Sequence, residues 1–80
     1  MTERNEAAGP PPATVTIHVN GDAYSVAAGT TVARLLAQLD VATVGVAVEL
    51  NREVVRRSDH PTRELGDGDR VEIVRFVGGG

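Results

Sequence analysis

Two runs of alternating residues separated by Asn20-Gly21 constrain what this chain can fold into more than any other feature. From Thr14 to Val19 the sequence TVTIHV sets Val15, Ile17 and Val19 on one face and Thr14, Thr16 and His18 on the other, the period of a half-buried strand. Asn-Gly is the strongest two-residue hairpin signal, because both central residues of a type I′ turn need positive φ. A second strand over Asp22–Ala27, with Tyr24 and Val26 on one face, therefore returns antiparallel to the first. A sheet begun in this way needs an element to cover its apolar face.

The next segment supplies one. Gly29, Thr30 and Thr31 break the second strand, and a threonine there can cap the helix that follows. Val32, Leu35, Leu36 and Leu39 are spaced i, i+3, i+4, i+7, which predicts one amphipathic helix over Thr31–Leu39. Alternation resumes at Val44, Val46, Val48 and Leu50, a third strand that ends in a turn at Asn51-Arg52, and Glu53–Val55 form a short fourth strand. Arg56 to Leu65 is connector, since Pro61 disfavours helical backbone at His60 and leaves room for only a short helical turn.

Gly66-Asp67-Gly68-Asp69 makes a tight turn into the last strand, Arg70–Val77. Its alternation puts Val71 and Ile73 on one face and Glu72, Val74 and Phe76 on the other. Apolar residues on both faces have two explanations. Either a bulge shifts the register, or Val74 and Phe76 form an exposed apolar patch, which marks them as partner-binding residues.

Composition sets the bounds. Eighty residues make one small domain with no room for a deep substrate cavity. Phe76 and Tyr24 are the only aromatic residues, so the core is built from Val, Leu, Ile and Ala. With no cysteine the chain has neither disulfides nor thiolate metal ligands, which fits a reducing compartment, and it cannot itself carry a persulfide. A net charge of −3 without a concentrated basic stretch argues against nucleic acid as a partner. All eight basic residues are arginine, so no side chain can accept an isopeptide bond. Nothing approaches the ~20 consecutive apolar residues of a membrane span, and the opening MTERNEAAGPPP has no apolar core of a signal peptide, so the expected location is cytoplasmic. Residues 1–12, closing in three prolines, are expected to be a disordered extension, with the folded domain at 13–77 and a flexible tail at 78–80.

That tail is Gly78, Gly79 and Gly80. Glycine packs nothing and weakens any strand it occupies, so three in succession after a strand make a thin, adaptable ribbon. At ~3.3–3.6 Å per residue it can carry a terminal carboxylate roughly 10 Å from the folded body. A frayed end accounts for the same residues equally well.

Other constellations carry little. Ser58, Asp59 and His60 contain the residue types of a catalytic triad, but adjacent residues on one loop do not form the required relay. The DGD of the last turn lacks the further oxygen ligands of a calcium loop. His18 and His60 lie in separate elements without thiolate companions and are expected to be exposed structural histidines, leaving no metal site. Arg56, Arg57 and Arg63 can meet an acidic partner or form a solvated rim.

Strand, strand, helix, strand, short strand, connector, strand is the element order of the ubiquitin-like β-grasp, an α+β fold with a mixed sheet of 4–5 strands on one helix. The segments VNGDAYSV, GTTVARLLAQL, VGVAVELNREVVRRSDH, LGDGDRVEIVRFV and the terminal GGG resemble, in that order and spacing, the ThiS sulfur carriers of thiamin biosynthesis. The resemblance runs from about Val15 to Gly80 and is most specific at the Asn51 turn with Val55 and Arg56, the DGD turn and the glycine end. It departs at Arg57, at Val55 where a proline is common, and in the N-terminal extension.

The resemblance implies a carrier, monomeric when free, and not an enzyme. A ThiF-like adenylating enzyme, using ATP and Mg²⁺ that this chain does not bind, converts the Gly80 carboxylate to an acyl-adenylate. Sulfur drawn indirectly from a cysteine desulfurase system then leaves a thiocarboxylate at Gly80, which donates it to the thiazole synthase ThiG, with Gly78 and Gly79 as the arm. The small subunit of molybdopterin synthase shares fold, tail and chemistry but is longer after the helix. A ubiquitin-like modifier that conjugates to lysines of other proteins, and a plain interaction domain, are the remaining alternatives.

Overall fold

The computed structural model describes residues 13–76. The expectations for residues 1–12, for Val77 and for the glycine tail fall outside them.

The hairpin forms as its sequence requires. Strand β1 (Thr14–Val19) pairs antiparallel with β2 (Asp22–Ala27), from Thr14 opposite Ala27 to Val19 opposite Asp22. Asn20 at φ 49° and Gly21 at φ 91° supply the two positive φ angles of a type I′ turn. Helix α1 (Val32–Gln38) follows, with the Thr31 hydroxyl accepting from the Arg34 N–H at 3.2 Å. Two more of its leading N–H groups are satisfied from the connector: Val32 donates to the Arg63 carbonyl and Ala33 to the His60 carbonyl, both at 2.9 Å. The connector is therefore part of the helix cap, which answers the problem that a helix start leaves unpaired donors.

Strand β3 (Val46–Leu50) and β4 (Glu53–Val55) form the second hairpin, turned at Asn51 (φ 52°) and Arg52 (φ 73°). The third strand starts two residues later than the alternation from Val44 suggests, because Gly45 adopts φ 74° and throws Val44 outward, leaving it 74% exposed. The connector holds one 3₁₀ turn, Arg57–Asp59, placed before Pro61. Strand β5 (Arg70–Arg75) closes the sheet in the order β2-β1-β5-β3-β4, parallel to β1 and antiparallel to β3. Among the described residues this is a five-stranded mixed sheet on one helix, the α+β ubiquitin-like β-grasp that the element order implies.

The core lies between α1 and one face of the sheet. Ile17, Val48, Leu50 and Val71 meet Val32, Leu35 and Leu36 there, each at most 2% exposed, and Leu65 of the connector joins them. Burying each such side chain is worth about 1.5–3 kcal/mol, so an aliphatic core suffices without aromatic residues. Tyr24 shares this face with Ile17 but stands on the edge strand and remains 41% exposed.

The histidines correct an expectation. His60 is 5% exposed rather than on the surface, with its Nε2 3.2 Å from the Val55 carbonyl oxygen. A carbonyl only accepts, so Nε2 carries the proton. His18 is half-buried on the sheet face away from the helix. The 3₁₀ turn folds His60 back under the connector, where its ring tethers β4 while its carbonyl caps α1.

Candidate functional site

Strand β5 is central in the sheet and leads directly to the glycine residues, so the surface around its end is the natural place to look. Its pairing with β3 runs unbroken from Leu50 opposite Val71 to Val46 opposite Arg75. An unbroken register leaves no bulge, and the alternation therefore turns Val71 and Ile73 toward the core and Val74 outward. Val74 is 46% exposed and Phe76 64% exposed. The strand ends at Arg75 rather than Val77, yet Phe76 is still tied to the sheet, its N–H donating to the Gly45 carbonyl at 2.8 Å.

The uncovered face extends beyond these two residues. Ala47 stands opposite Val74, Glu49 opposite Glu72, and Val54 of β4 opposite Glu49, so Ala47 and Val54 share the outer face with Val74. Val54 is 69% exposed. The outer face thus carries an apolar strip, Val54, Ala47 and Val74, next to a pair of directly opposed carboxylates. Like charges placed so destabilise a sheet modestly.

The other sequence candidates fall into structural roles. Ser58, Asp59 and His60 form no relay, since the His60 Nε2 is engaged with the Val55 carbonyl and its Nδ1 is buried without a hydrogen-bond partner. Arg56, Arg57 and Arg63 are exposed. The DGD segment is a turn built by its own carboxylates: Asp67 Oδ1 accepts from the Thr16 N–H at 2.8 Å, and Asp69 accepts from the Gly66 N–H at 2.6 Å and from Asn51 Nδ2 at 3.0 Å. Among the described residues no group of three His, Cys, Asp or Glu is placed to hold a metal ion. No helix among them is long and apolar enough to cross a membrane.

Sequence reasoning missed Val54 and Asn20. Val54 was detectable, because two consecutive valines in a three-residue strand must face opposite sides and Val55 is the buried one. Asn20 presented itself only as a turn residue. Its side chain also bonds Ile73, accepting from the N–H at 2.8 Å and donating to the carbonyl at 3.3 Å.

Comparison with known proteins agrees with this geometry. A family model described as the ThiS family matches residues 11–80. The crystal structure of a thiamine biosynthesis protein (ThiS) from Geobacter metallireducens superposes with a TM-score of 0.72 at 40% identity, covering 82% of this chain and all of that one. The sulfur carrier protein ThiS of Escherichia coli is 36% identical over 61 residues, 76% of this chain and 92% of that protein. A thiazole synthase of Magnetococcus marinus is 44% identical over 64 residues, and there the matched region spans 80% of this chain but only 20% of the synthase. With a family model matched along nearly all of its length and a close structural counterpart at this identity, the chain belongs to the ThiS family.

Proposed function

We propose that this protein is the sulfur carrier for thiazole formation in thiamin biosynthesis, with the Gly80 carboxyl as the group that is charged. The observation that carries the reading is the extent of the family match, which continues through the last strand and the glycine end at residues 11–80. The geometry supports it, since Val74 and Phe76 are exposed at the end of the central strand, with Val77 alone between Phe76 and the glycines in the sequence. The similarity to a thiamine biosynthesis protein of Geobacter metallireducens favours this branch over molybdopterin synthesis.

A carboxylate, ionised at neutral pH, is a poor electrophile until activated. In the proposed cycle one Gly80 oxygen attacks the α-phosphorus of ATP on a ThiF-like enzyme and pyrophosphate leaves, giving an acyl-adenylate. A persulfide sulfur, supplied through a cysteine desulfurase, then attacks the carbonyl carbon and AMP leaves. Thiol reduction of the resulting acyl disulfide frees the thiocarboxylate. Mg²⁺ and the stabilisation of developing charge belong to the enzyme, while this chain, cytoplasmic and monomeric when free, is consumed and regenerated. Its own contribution is presentation: a rigid body to dock, and Gly78 and Gly79 as an arm thin enough for a narrow channel. Transfer to a thiazole synthase is supported by the occurrence of a carrier-like region within the Magnetococcus marinus protein.

Intact-mass analysis after co-expression with the adenylating enzyme and a desulfurase tests the proposal. Exchange of one oxygen for sulfur, placed on Gly80 by fragmentation, is the expected result. Lysine-linked adducts on other proteins, with Gly80 never bearing sulfur, would overturn it in favour of a modifier.

A further inference from the structure

We propose that Asn20 is a positioning residue for the tail: its side-chain amide serves as the last rung of the β1–β5 ladder and sets where β5 is released. This rests on the carrier reading above. The parallel pairing of β1 with β5 covers His18 opposite Arg70 and Val19 opposite Val71, and the Asn20 N–H donates to the Val71 carbonyl at 2.8 Å. There the main chain of β1 must leave, because Asn20 and Gly21 turn it back into β2. Nothing in the backbone of β1 remains for Ile73.

The Asn20 side chain fills that place. A primary amide offers the same donor and acceptor as a peptide unit, and here it takes both positions, accepting from the Ile73 N–H at 2.8 Å and donating to the Ile73 carbonyl at 3.3 Å. On its other side β5 stays paired with β3 as far as the bond from Phe76 to Gly45. Strand β5 is therefore held on two sides through Ile73 and on one side from Val74 to Phe76. Asn20 marks the boundary between the two regimes, just ahead of the residues proposed to dock and the arm proposed to reach. Loosening that boundary lets the base of the arm swing, which lowers the fraction of docked complexes whose carboxylate sits in reacting position.

The fold contains its own control. Asn51 is also a turn residue at positive φ, 52° against 49° for Asn20, and its side chain also bonds β5, accepting from the Arg70 N–H at 2.9 Å. It acts at the start of the strand, away from the tail. Glycine tolerates positive φ, so Asn20→Gly and Asn51→Gly each delete the amide while sparing the turn.

The test compares both variants with the full-length wild type. In Asn20→Gly, amide exchange at Ile73 should quicken about tenfold and backbone relaxation from Val74 to Phe76 should show larger amplitudes, with Asn51→Gly leaving both unchanged. In ATP-pyrophosphate exchange with the adenylating enzyme, Asn20→Gly should lower kcat about fivefold or more at a nearly constant KM, because β3 still holds the docking residues. Asn20→Asp, which keeps the acceptor for the Ile73 N–H, should recover part of that loss. Equal kcat in the two glycine variants, or unchanged Ile73 exchange in Asn20→Gly, would overturn the proposal. If the wild type itself is not adenylated, the carrier reading falls, and the exchange and relaxation data still decide whether Asn20 sets the release point.

Discussion

Val74 of β5 stands directly opposite Ala47 of β3 on the sheet face turned away from α1, and the small neighbour leaves it 46% exposed. A valine so placed adds little to the fold. Together with Phe76, 64% exposed, it is available to a partner.

Replacing Phe76 by Ala should weaken binding to the adenylating enzyme by roughly one to two decades, since burying such a side chain is worth ~1.5–3 kcal/mol. Val74→Ala should act in the same direction and less. Neither should move the urea midpoint of the free protein appreciably, whereas Leu36→Ala, at 1% exposure, should cost about 2–5 kcal/mol. Titration calorimetry and urea unfolding check the pair of claims. A lowered urea midpoint for a still-folded Phe76→Ala, with unchanged affinity, would show that the patch is structural.

Because the proposed reactive group is one terminal carboxyl, deleting Gly80 or adding a residue after it should abolish activation and leave the unfolding midpoint unchanged. ATP-pyrophosphate exchange is the measurement. Full exchange by an extended chain would mean that the partner does not read where the chain ends.

Much of the fold was legible because its signals are local. The Asn20-Gly21 turn, the alternation of β1, the spacing of Val32, Leu35 and Leu36 and the Thr31 cap all act within a few residues. The two-faced pattern of β5 left a bulge or a patch, and only the pairing with β3 distinguishes them. His60 was misjudged for a similar reason. It sits in a polar run, and what buries it is the meeting of the connector with β4 and the start of α1, a contact that no local pattern encodes. Val44 erred in the other direction, as its alternation with Val46 concealed the positive φ at Gly45. The glycine tail was legible from residue types alone, three glycines in succession after a strand.

His60→Ala should destabilise the protein by about 1–3 kcal/mol, by leaving the Val55 carbonyl without its donor, with more lost to the vacated volume. His60→Gln retains an N–H donor and should lose less. Urea midpoints report both, and a change under about 0.5 kcal/mol in His60→Ala would place the ring among ordinary surface groups.

Gly45→Ala isolates a backbone effect. No atom beyond the adjoining residues lies within 4 Å of the added methyl, so the cost is that of φ 74° for an L-residue, about 1–2 kcal/mol. The same measurement applies. An unchanged midpoint would mean that the backbone relaxes there without loosening β3.

Strand β5 joins two hairpins that do not otherwise pair with each other, β1–β2 on one side and β3–β4 on the other. Each hairpin carries a turn that can close within microseconds, yet the sheet becomes one body only when β5 slots between them across more than fifty intervening residues, as the Asn20 to Ile73 bonds show. Folding and presentation are thereby the same event. A chain whose last strand has not docked lacks the outer face formed by Ala47 and Val74, so under the proposed function an adenylating enzyme that docks there would act on folded copies alone. In the proposed cycle, the topology would make structural integrity a condition of being charged.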